Sequence, residues 1–452
     1  MHPDSAQSRP IDAAEFAAAM APFRAQTATG VAVACSGGPD SLALALLARD
    51  WAREAGIVCV GVTVDHGLRP EAPSEADRTA RLLSENGLPT TALHYDGPVP
   101  RRDIQAAARQ IRYRLIADWL ATQPFSAVLL AHHQDDQAET VLLRLARGSG
   151  VDGLSAMAPV SGRDGMTLLR PLLAFPKSRL EVTARLSGLP VVIDPSNRNE
   201  AFARVRLRNL SDVLAAEGMT PKRLAETAAR MARARDALDA ARNRFVETEV
   251  TADAAGFLTF APEAFQNLPE EVALRVLSQA VRVLGGRPYP PREAHLIVLR
   301  EAIAAGTLGG GRTLAGTKVA VWRGRILICR EGAGVDPPVA VYGGAVWDSR
   351  FILHVPGNGA VGADLQIGAL GREGVTEIRR SGAECIETLP GPVRTGIPAL
   401  RRDGRVVSVP HIGYQVEGAV PEGEISFRAV STAWGEDFQR RLPFSNPAAR
   451  PM

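Results

Sequence analysis

Lysine is almost missing from this chain. Only Lys177, Lys222 and Lys318 occur in 452 residues, so nearly all of the 52 basic side chains are arginine. An arginine bias spread over the whole length follows codon usage and is not by itself a nucleic-acid signal. Acidic residues number 49 and leave a formal net charge of +3, which demands no polyanionic partner. Cysteine is as scarce: Cys35, Cys59, Cys329 and Cys385 are far apart, with no C-x-x-C. That excludes a disulfide scaffold, a zinc ribbon and a cysteine-ligated iron–sulfur cluster. Cys35 and Cys59 fall in expected strands, where a free cysteine is a small buried hydrophobe. No apolar run approaches membrane-spanning length, and MHPDSAQSRPIDAAEF carries early acids without a signal-peptide core. The expectation is a soluble, cytoplasmic protein. Absent too is any Gly-x-x-x-x-Gly-Lys-Ser/Thr run, which excludes the usual nucleotide-binding loop.

What is present begins at Val31-Ala32-Val33-Ala34-Cys35, an apolar run followed directly by Ser36-Gly37-Gly38-Pro39-Asp40-Ser41. A strand ending in Ser-Gly-Gly before a helix (Leu42–Ala55) gathers amides and hydroxyls at the positive end of a helix dipole, where an anion binds. The glycines let backbone approach a phosphate, and Ser36 and Ser41 can donate hydrogen bonds. Asp40 belongs beside phosphates only if a cation, most simply Mg²⁺, lies between. The hexapeptide resembles the pyrophosphate loop of enzymes that cut ATP between its α and β phosphates.

Up to about Ser196 the pattern alternates. Apolar runs Val31–Cys35, Ile57–Val64, Ala127–Ala131 and Val191–Ile193 read as strands buried on both faces. Leu42–Ala55, Ser74–Asn86, Asp103–Ala121 and Asp135–Ala146 read as helices between them. The expected fold is α/β, a doubly wound parallel sheet with ligands at the carboxyl ends of its strands. Polar clusters fall at those ends: Ser36–Ser41, then Asp65-His66-Gly67-Leu68-Arg69, then the run from His132 to Thr140. His132, Asp136 and Glu139 stand at i, i+4 and i+7, the spacing of one helix face. One His and two carboxylates have the composition of a metal-ligand set, although no further His or Cys completes it; ion pairing with a cationic substrate stands beside that reading. Arg109 and Arg112, three apart, read either as phosphate or carboxylate clamps or as solvated surface. Arg204, Arg206 and Arg208 share a face only in an extended segment; on a helix they spread.

With SGGPDS, DHGLR, ARQIRY, AHHQDDQAET, RGSGVDGL, RPLL and DPSN in this order, the chain resembles the bacterial tRNA(Ile)-lysidine synthetases from Gly30 to about Leu210. The resemblance implies a pyrophosphate-loop, adenine-nucleotide α-hydrolase-like domain that converts the wobble cytidine of an isoleucine tRNA to lysidine. Its substrates would be that tRNA, free L-lysine and ATP, with Mg²⁺, no membrane and no required protein partner; a homodimer stays open. Cytosine C2 carries a poor leaving group until its oxygen is adenylated, after which the lysine ε-amine attacks and AMP leaves. On this view Ser36, Gly37, Gly38, Pro39 and Ser41 form the phosphate loop, and Asp40 holds Mg²⁺. Asp65 and His66 line the nucleotide pocket. Asp136 and Glu139 pair with the cationic ends of lysine, and one of them takes a proton from its ε-ammonium. His132 steadies charge on the α phosphate. Arg109, Arg112, Arg147, Arg204, Arg206 and Arg208 would contact tRNA.

Beyond Leu210 the sequence offers arginines without acid/base clusters. A long helix is expected over Thr220–Val250, two more over Pro269–Gly306, then a hairpin of Val319–Trp322 and Arg325–Cys329. A Gly/Pro linker, Gly332–Pro338, precedes a glycine-punctuated end with strand-like runs Arg405–Val409 and Ile425–Val430, and a proline-rich tail from Pro443. Three domains are expected: a catalytic one over 1–218, a mainly helical one over 219–332 and a small β-rich one over 339–452, the last two contacting tRNA. Rival readings are another pyrophosphate-loop enzyme, such as a tRNA thiolase or an amidotransferase-type synthetase, and a non-catalytic tRNA-binding protein. The missing C-x-x-C, the missing glutaminase segment and the intact Asp40, Asp136 and Glu139 count against each in turn.

Overall fold

The computed structural model describes residues 9–67, 71–98, 104–192, 203–286, 289–342, 345–354, 364–418 and 426–429. The chain divides into two compact units, Met1–Arg235 and Asp236–Met452. In the first unit α1 (Ala13–Met20) and α2 (Arg24–Thr27) lead into an alternation of β1 (Val31–Ala34), α3 (Pro39–Ala55), β2 (Cys59–Asp65), α4 (Ala72–Glu85), β3 (Thr90–His94), α5 (Ile104–Leu120), β4 (Ala127–Leu129) and α6 (Gln134–Leu145). Then come α7 (Val151–Leu154), β5 (Val160–Arg163), β6 (Met166–Leu169), α8 (Lys177–Leu186), α9 (Ala203–Asn209), α10 (Ser211–Ala216) and α11 (Pro221–Glu249), which carries the boundary between the units.

The strands pair in the order β3-β2-β1-β4-β6-β5. Every pairing is parallel except that of β5 with β6. Alternating side chains of β1 serve two cores, as a doubly wound sheet requires. Val31 and Val33 join Leu42, Leu44 and Ala45 of α3 and Leu180 of α8 on one face. Ala32 joins Tyr113, Ile116 and Leu120 of α5 on the other. Leu42 and Leu44 are fully buried, and each contributes about 2 kcal/mol of apolar burial. Helix α3 starts on Pro39, whose fixed φ suits the first turn, and stops at Gly56 in the left-handed conformation (φ +67°).

The structure differs from the sequence expectation at one expected strand and at three unexpected ones. Val191 and Val192 form no strand; the Val192 N–H donates to Gly37 O (2.9 Å) and so braces the loop after β1. The hairpin β5–β6 and the edge strand β3 were not expected. Asp164 and Gly165 both carry positive φ (49° and 78°), the two-residue turn that Asp-Gly favours. Asp194–Asn197, Leu68, Arg69 and the tail from Pro443 lie outside the described residues.

In the second unit the sheet of β7 (Thr251–Asp253), β8 (Phe257–Phe260), β9 (Arg312–Leu314), β10 (Thr317–Trp322) and β11 (Arg325–Arg330) is antiparallel, in the order β7-β8-β11-β10-β9. Period two again splits its side chains. Ile326, Ile328, Leu258 and Phe260 pack on α12 (Pro262–Gln266), α13 (Glu270–Gly285) and α14 (Glu293–Ala304). Leu327, Cys329 and Phe257 pack instead on Leu370, Ile378, Ile397 and Val409 from the end of the chain. Strands β8 and β11 therefore share a core with residues of 370–409, and the intervening Gly/Pro run is tied down. Arg330 donates to Gly285 O, to Gly334 O and to buried Asp348, which also pairs with Arg350. Asp348 accepts from Asp336 N–H as well (3.0 Å).

Candidate active site

Strands β1 and β4 are neighbours, yet the chain runs from β1 to β2 and β3 on one side of β1 before it crosses back to β4 on the other. The crevice of such a sheet opens at this switch point, beyond the carboxyl ends of the strands. Two polar segments meet there: residues 36–41 after β1 and residues 132–139 after β4.

The loop after β1 is closed by its own side chains. Ser41 is buried; its Oγ accepts from Ser36 N–H (3.1 Å), donates to Gly38 O (3.0 Å) and lies 3.2 Å from Ser36 Oγ. Ser41 thus braces the loop while Ser36 remains exposed. Gly37 has a φ of +80°, and a Cβ there would stand 2.8 Å from Thr79 Oγ1 and Val192 Cγ2, so only glycine fits. Gly38 caps α3 and Pro39 is its first residue, which puts Asp40 in the first turn.

Helix α6 begins at Gln134, because His133 takes an extended conformation as its N-cap. His132 therefore precedes the helix and does not share a face with Asp136 and Glu139. The buried imidazole of His133, which sequence reasoning passed over, sits among three carboxylates instead. Nε2 is 3.6 Å from Asp40 Oδ2 and 3.5 Å from Asp136 Oδ2, and Nδ1 is 3.6 Å from Asp135 Oδ2. Burial alone would strip its proton, but Asp135, Asp40 and Asp136 together push its pKa up to about 10. Burial works against the Asp135 carboxylate too, yet His133 and the Lys177 N–H (2.9 Å) hold it below its ordinary value.

With a folded pKa above its unfolded value, His133 contributes stability that is complete below about pH 6.5 and lost as pH rises toward about 10. ¹⁵N NMR of the ring nitrogens should show an imidazolium at pH ~8, where a free histidine is neutral. A neutral ring there would contradict the ion cluster.

One turn on, Glu139 is only 6% exposed and is engaged by the guanidinium of Arg208 on α9. Arg208 Nη2 also lies 3.4 Å from Glu139 Oε2 and 3.9 Å from Asp136 Oδ1. Burial disfavours the Arg208 charge, but Glu139, Asp136 and Asp40 outweigh it and raise its pKa. Asp40 keeps one oxygen in reserve: Oδ1 is buried without a hydrogen-bond partner, while Oδ2 faces His133. A carboxylate oxygen held back in this way fits a divalent cation that takes most of its other ligands from phosphates and water. Among the described residues no group of three or more His, Cys, Asp and Glu side chains could hold a metal, so His132, Asp136 and Glu139 do not form a ligand set.

Asp65, at the end of β2, is buried and accepts from Gly67 N–H (2.8 Å), shaping the turn that carries His66. Arg112, Arg147 and Arg206 are exposed; Arg204 lies on α9, its side chain outside the described residues. Arg109 donates to Tyr113 Oη (3.1 Å) and lies 5.2 Å from the ring centroid; Arg163 covers the same ring at 4.2 Å. Arg170, after β6, is buried and donates to Ala158 O (2.8 Å) and Ser161 Oγ (3.0 Å). Burial lowers its pKa, and the charge on Arg109 adds to that. Burial pushes the Cys59 and Cys329 thiols up to about 12 and raises that of Cys35 as well.

A mainly parallel sheet with a Ser-Gly-Gly loop at its switch point and an acidic helix start beside it defines the PP-loop class, and a PP-loop domain family model matches residues 10–214. The curated relatives narrow this. A tRNA(Ile)-lysidine synthase of Ruegeria pomeroyi is 40% identical over 361 residues, covering 78% of this chain and 83% of that one. One of Bradyrhizobium diazoefficiens is 42% identical over 71% of this chain and 94% of its own. One of Methylobacterium nodulans is 45% identical over 67% and 93%. The chain belongs to the tRNA(Ile)-lysidine synthase family. Among solved structures, a U34-tRNA thiolase of Methanococcus maripaludis with its [4Fe-4S] cluster aligns at 16% identity and a TM-score of 0.40, over 48% of this chain and 78% of that one. Among the described residues, no helix is long and apolar enough to cross a membrane.

Proposed function

We propose that this chain, working in the cytoplasm, joins free L-lysine to C2 of the wobble cytidine of an isoleucine tRNA, at the expense of ATP. The C2 oxygen attacks the α phosphate and pyrophosphate leaves; the lysine ε-amine then attacks C2, and AMP leaves with that oxygen. The exposed Ser36 hydroxyl and the amides of Gly37 and Gly38 suit the departing pyrophosphate, and Ser41 keeps that loop in shape. Asp40 would hold Mg²⁺ through Oδ1, supplying charge neutralisation to the phosphates. His133 lies against the other oxygen of Asp40, His132 would steady charge on the α phosphate, and His66 would line the nucleotide pocket with Asp65. Asp136 and Glu139 would take the lysine ammonium, and one of them its proton. The observation that carries this reading is the pair of carboxylates, Asp136 and Glu139, on the helix whose start faces Asp40 of the phosphate loop, in a chain of this family.

The decisive assay combines full-length protein, ATP, Mg²⁺, labelled lysine and tRNA(Ile) transcripts. Label should enter RNA only with ATP and only when the wobble base is cytidine; a uridine transcript should stay unlabelled. Label in both transcripts, or in neither, overturns the proposal.

The tRNA contacts are proposed for the arginines around Tyr113, for Arg112, Arg147, Arg204 and Arg206, and for the later segments 219–332 and 339–452. Arg109→Gln and Arg163→Gln should each flatten the log–log salt dependence of tRNA binding by roughly one unit while leaving the KM for ATP in place. Unchanged slopes in both variants would remove the Tyr113 cluster from the interface.

A further inference from the structure

Arg208 and an incoming lysine make the same demand on this site. Glu139 is buried, and both its oxygens face the Arg208 fork, Nε toward Oε1 and Nη2 toward Oε2 (3.4 Å). The second carboxylate of the pair, Asp136, lies within 3.9 Å of the same guanidinium. Glu139 is buried and Asp136 partly so, and a charge in such a place is costly without a cation beside it. A guanidinium can supply that charge but can neither lose a proton at ordinary pH nor act as a nucleophile. An ammonium entering the pocket needs the lone pairs that the fork now covers.

We infer that Arg208 is a resident counter-ion occupying the ammonium subsite of Asp136 and Glu139, and that lysine binds by displacing it. The inference rests on reading this acid pair as the lysine subsite. Arg208 is suited to leave: its side chain is 39% exposed, against 8% for Glu139, so its head can swing into water while its stem stays on α9. Until it leaves, the pocket is neutralised, and the apparent affinity for lysine falls by the fraction of molecules in which the subsite is open. A cation that cannot meet both carboxylates does not dislodge it. Arg208 thereby acts as a specificity-determining residue for the amine.

The test is equilibrium dialysis of labelled lysine against the full-length chain without tRNA, with ATP binding followed on the same samples. Arg208→Gln should bind lysine about tenfold more tightly than wild type, or better. Arg208→Lys, which returns a cation to the same stem, should bring the affinity back toward wild type. Equal binding in Arg208→Gln overturns the inference. Weaker binding overturns it too, making Arg208 a direct ligand, for instance of the lysine carboxylate. If neither wild type nor variant binds lysine while both bind ATP, the lysine reading of Asp136 and Glu139 fails, and the displacement with it.

Discussion

Asp40→Ala is expected to cut lysidine formation by roughly a thousandfold or more, with the deficit largest at limiting Mg²⁺. The carboxylate has two separate jobs. Oδ2 faces the His133 imidazolium at 3.6 Å, and Oδ1 is buried with nothing to accept. Alanine removes the unpartnered oxygen that would hold the metal, and it also takes away one of three carboxylates that keep His133 charged. The variant should therefore show two linked changes: lost turnover, and a His133 pKa below that of wild type by NMR. Asp40→Asn separates them, since it keeps the shape of the side chain and loses the charge on both oxygens. Full turnover of Asp40→Ala at limiting Mg²⁺ would show that the residue is no metal ligand. A normal His133 titration alongside lost turnover would confine its part to the phosphates.

Such variants can be chosen because much of the first unit is legible in its residues. Val31–Ala34 and Ala127–Leu129 are continuous apolar runs, as strands covered on both faces must be, and the loop and acids that follow them mark the switch point. Val191-Val192 carries the same composition and misleads. Composition reports burial, whereas the backbone of Val192 is committed to Gly37 and not to a ladder. The opposite error hides β5, a partly exposed run, and β6, a buried but four-residue one, although Asp164-Gly165 between them is a hairpin signal in plain view.

Within the site, the limits are those of spacing. Counting from His132 gives a clean i, i+4, i+7 series, but the series presumes a helix that starts two residues too early. The N-cap at His133 breaks it and moves the buried imidazole, not the half-buried one, into the carboxylate cluster. His133 could have been found by asking which residue of HHQDDQ caps the helix that Asp135 and Asp136 open. The pairing of Glu139 with Arg208 spans 69 positions and has no local signature. The sharing of β8 and β11 between two cores is likewise invisible to a reading that takes Gly332–Pro338 for a free linker. Arg330, on the strand side, and Asp348, beyond the run, hold that segment through contacts no local pattern announces.

Glu139→Gln should weaken lysine binding by about tenfold to a hundredfold when introduced beside Arg208→Gln, and by much less in the wild-type background. One charge-assisted hydrogen bond is worth roughly 1.5–3 kcal/mol, and in the Arg208→Gln background the guanidinium no longer contends with the ammonium for it. With Arg208 in place the same change also releases the competitor, because Nε and Nη2 of the guanidinium both depend on Glu139. The two effects oppose each other, so the substitutions are strongly non-additive, as neighbours sharing a partner are expected to be. The lysine KM of all four forms, read from labelled-lysine transfer at saturating ATP and tRNA, closes the cycle. Adenylation of the tRNA, followed by pyrophosphate release without lysine, should persist in each of them, since Glu139 sits one turn beyond the residues that face the phosphate loop. Additive effects would mean that Arg208 and lysine do not contend for Glu139. Lost adenylation with an unchanged lysine KM would place Glu139 at the nucleotide instead, leaving Asp136 as the remaining acid for the amine.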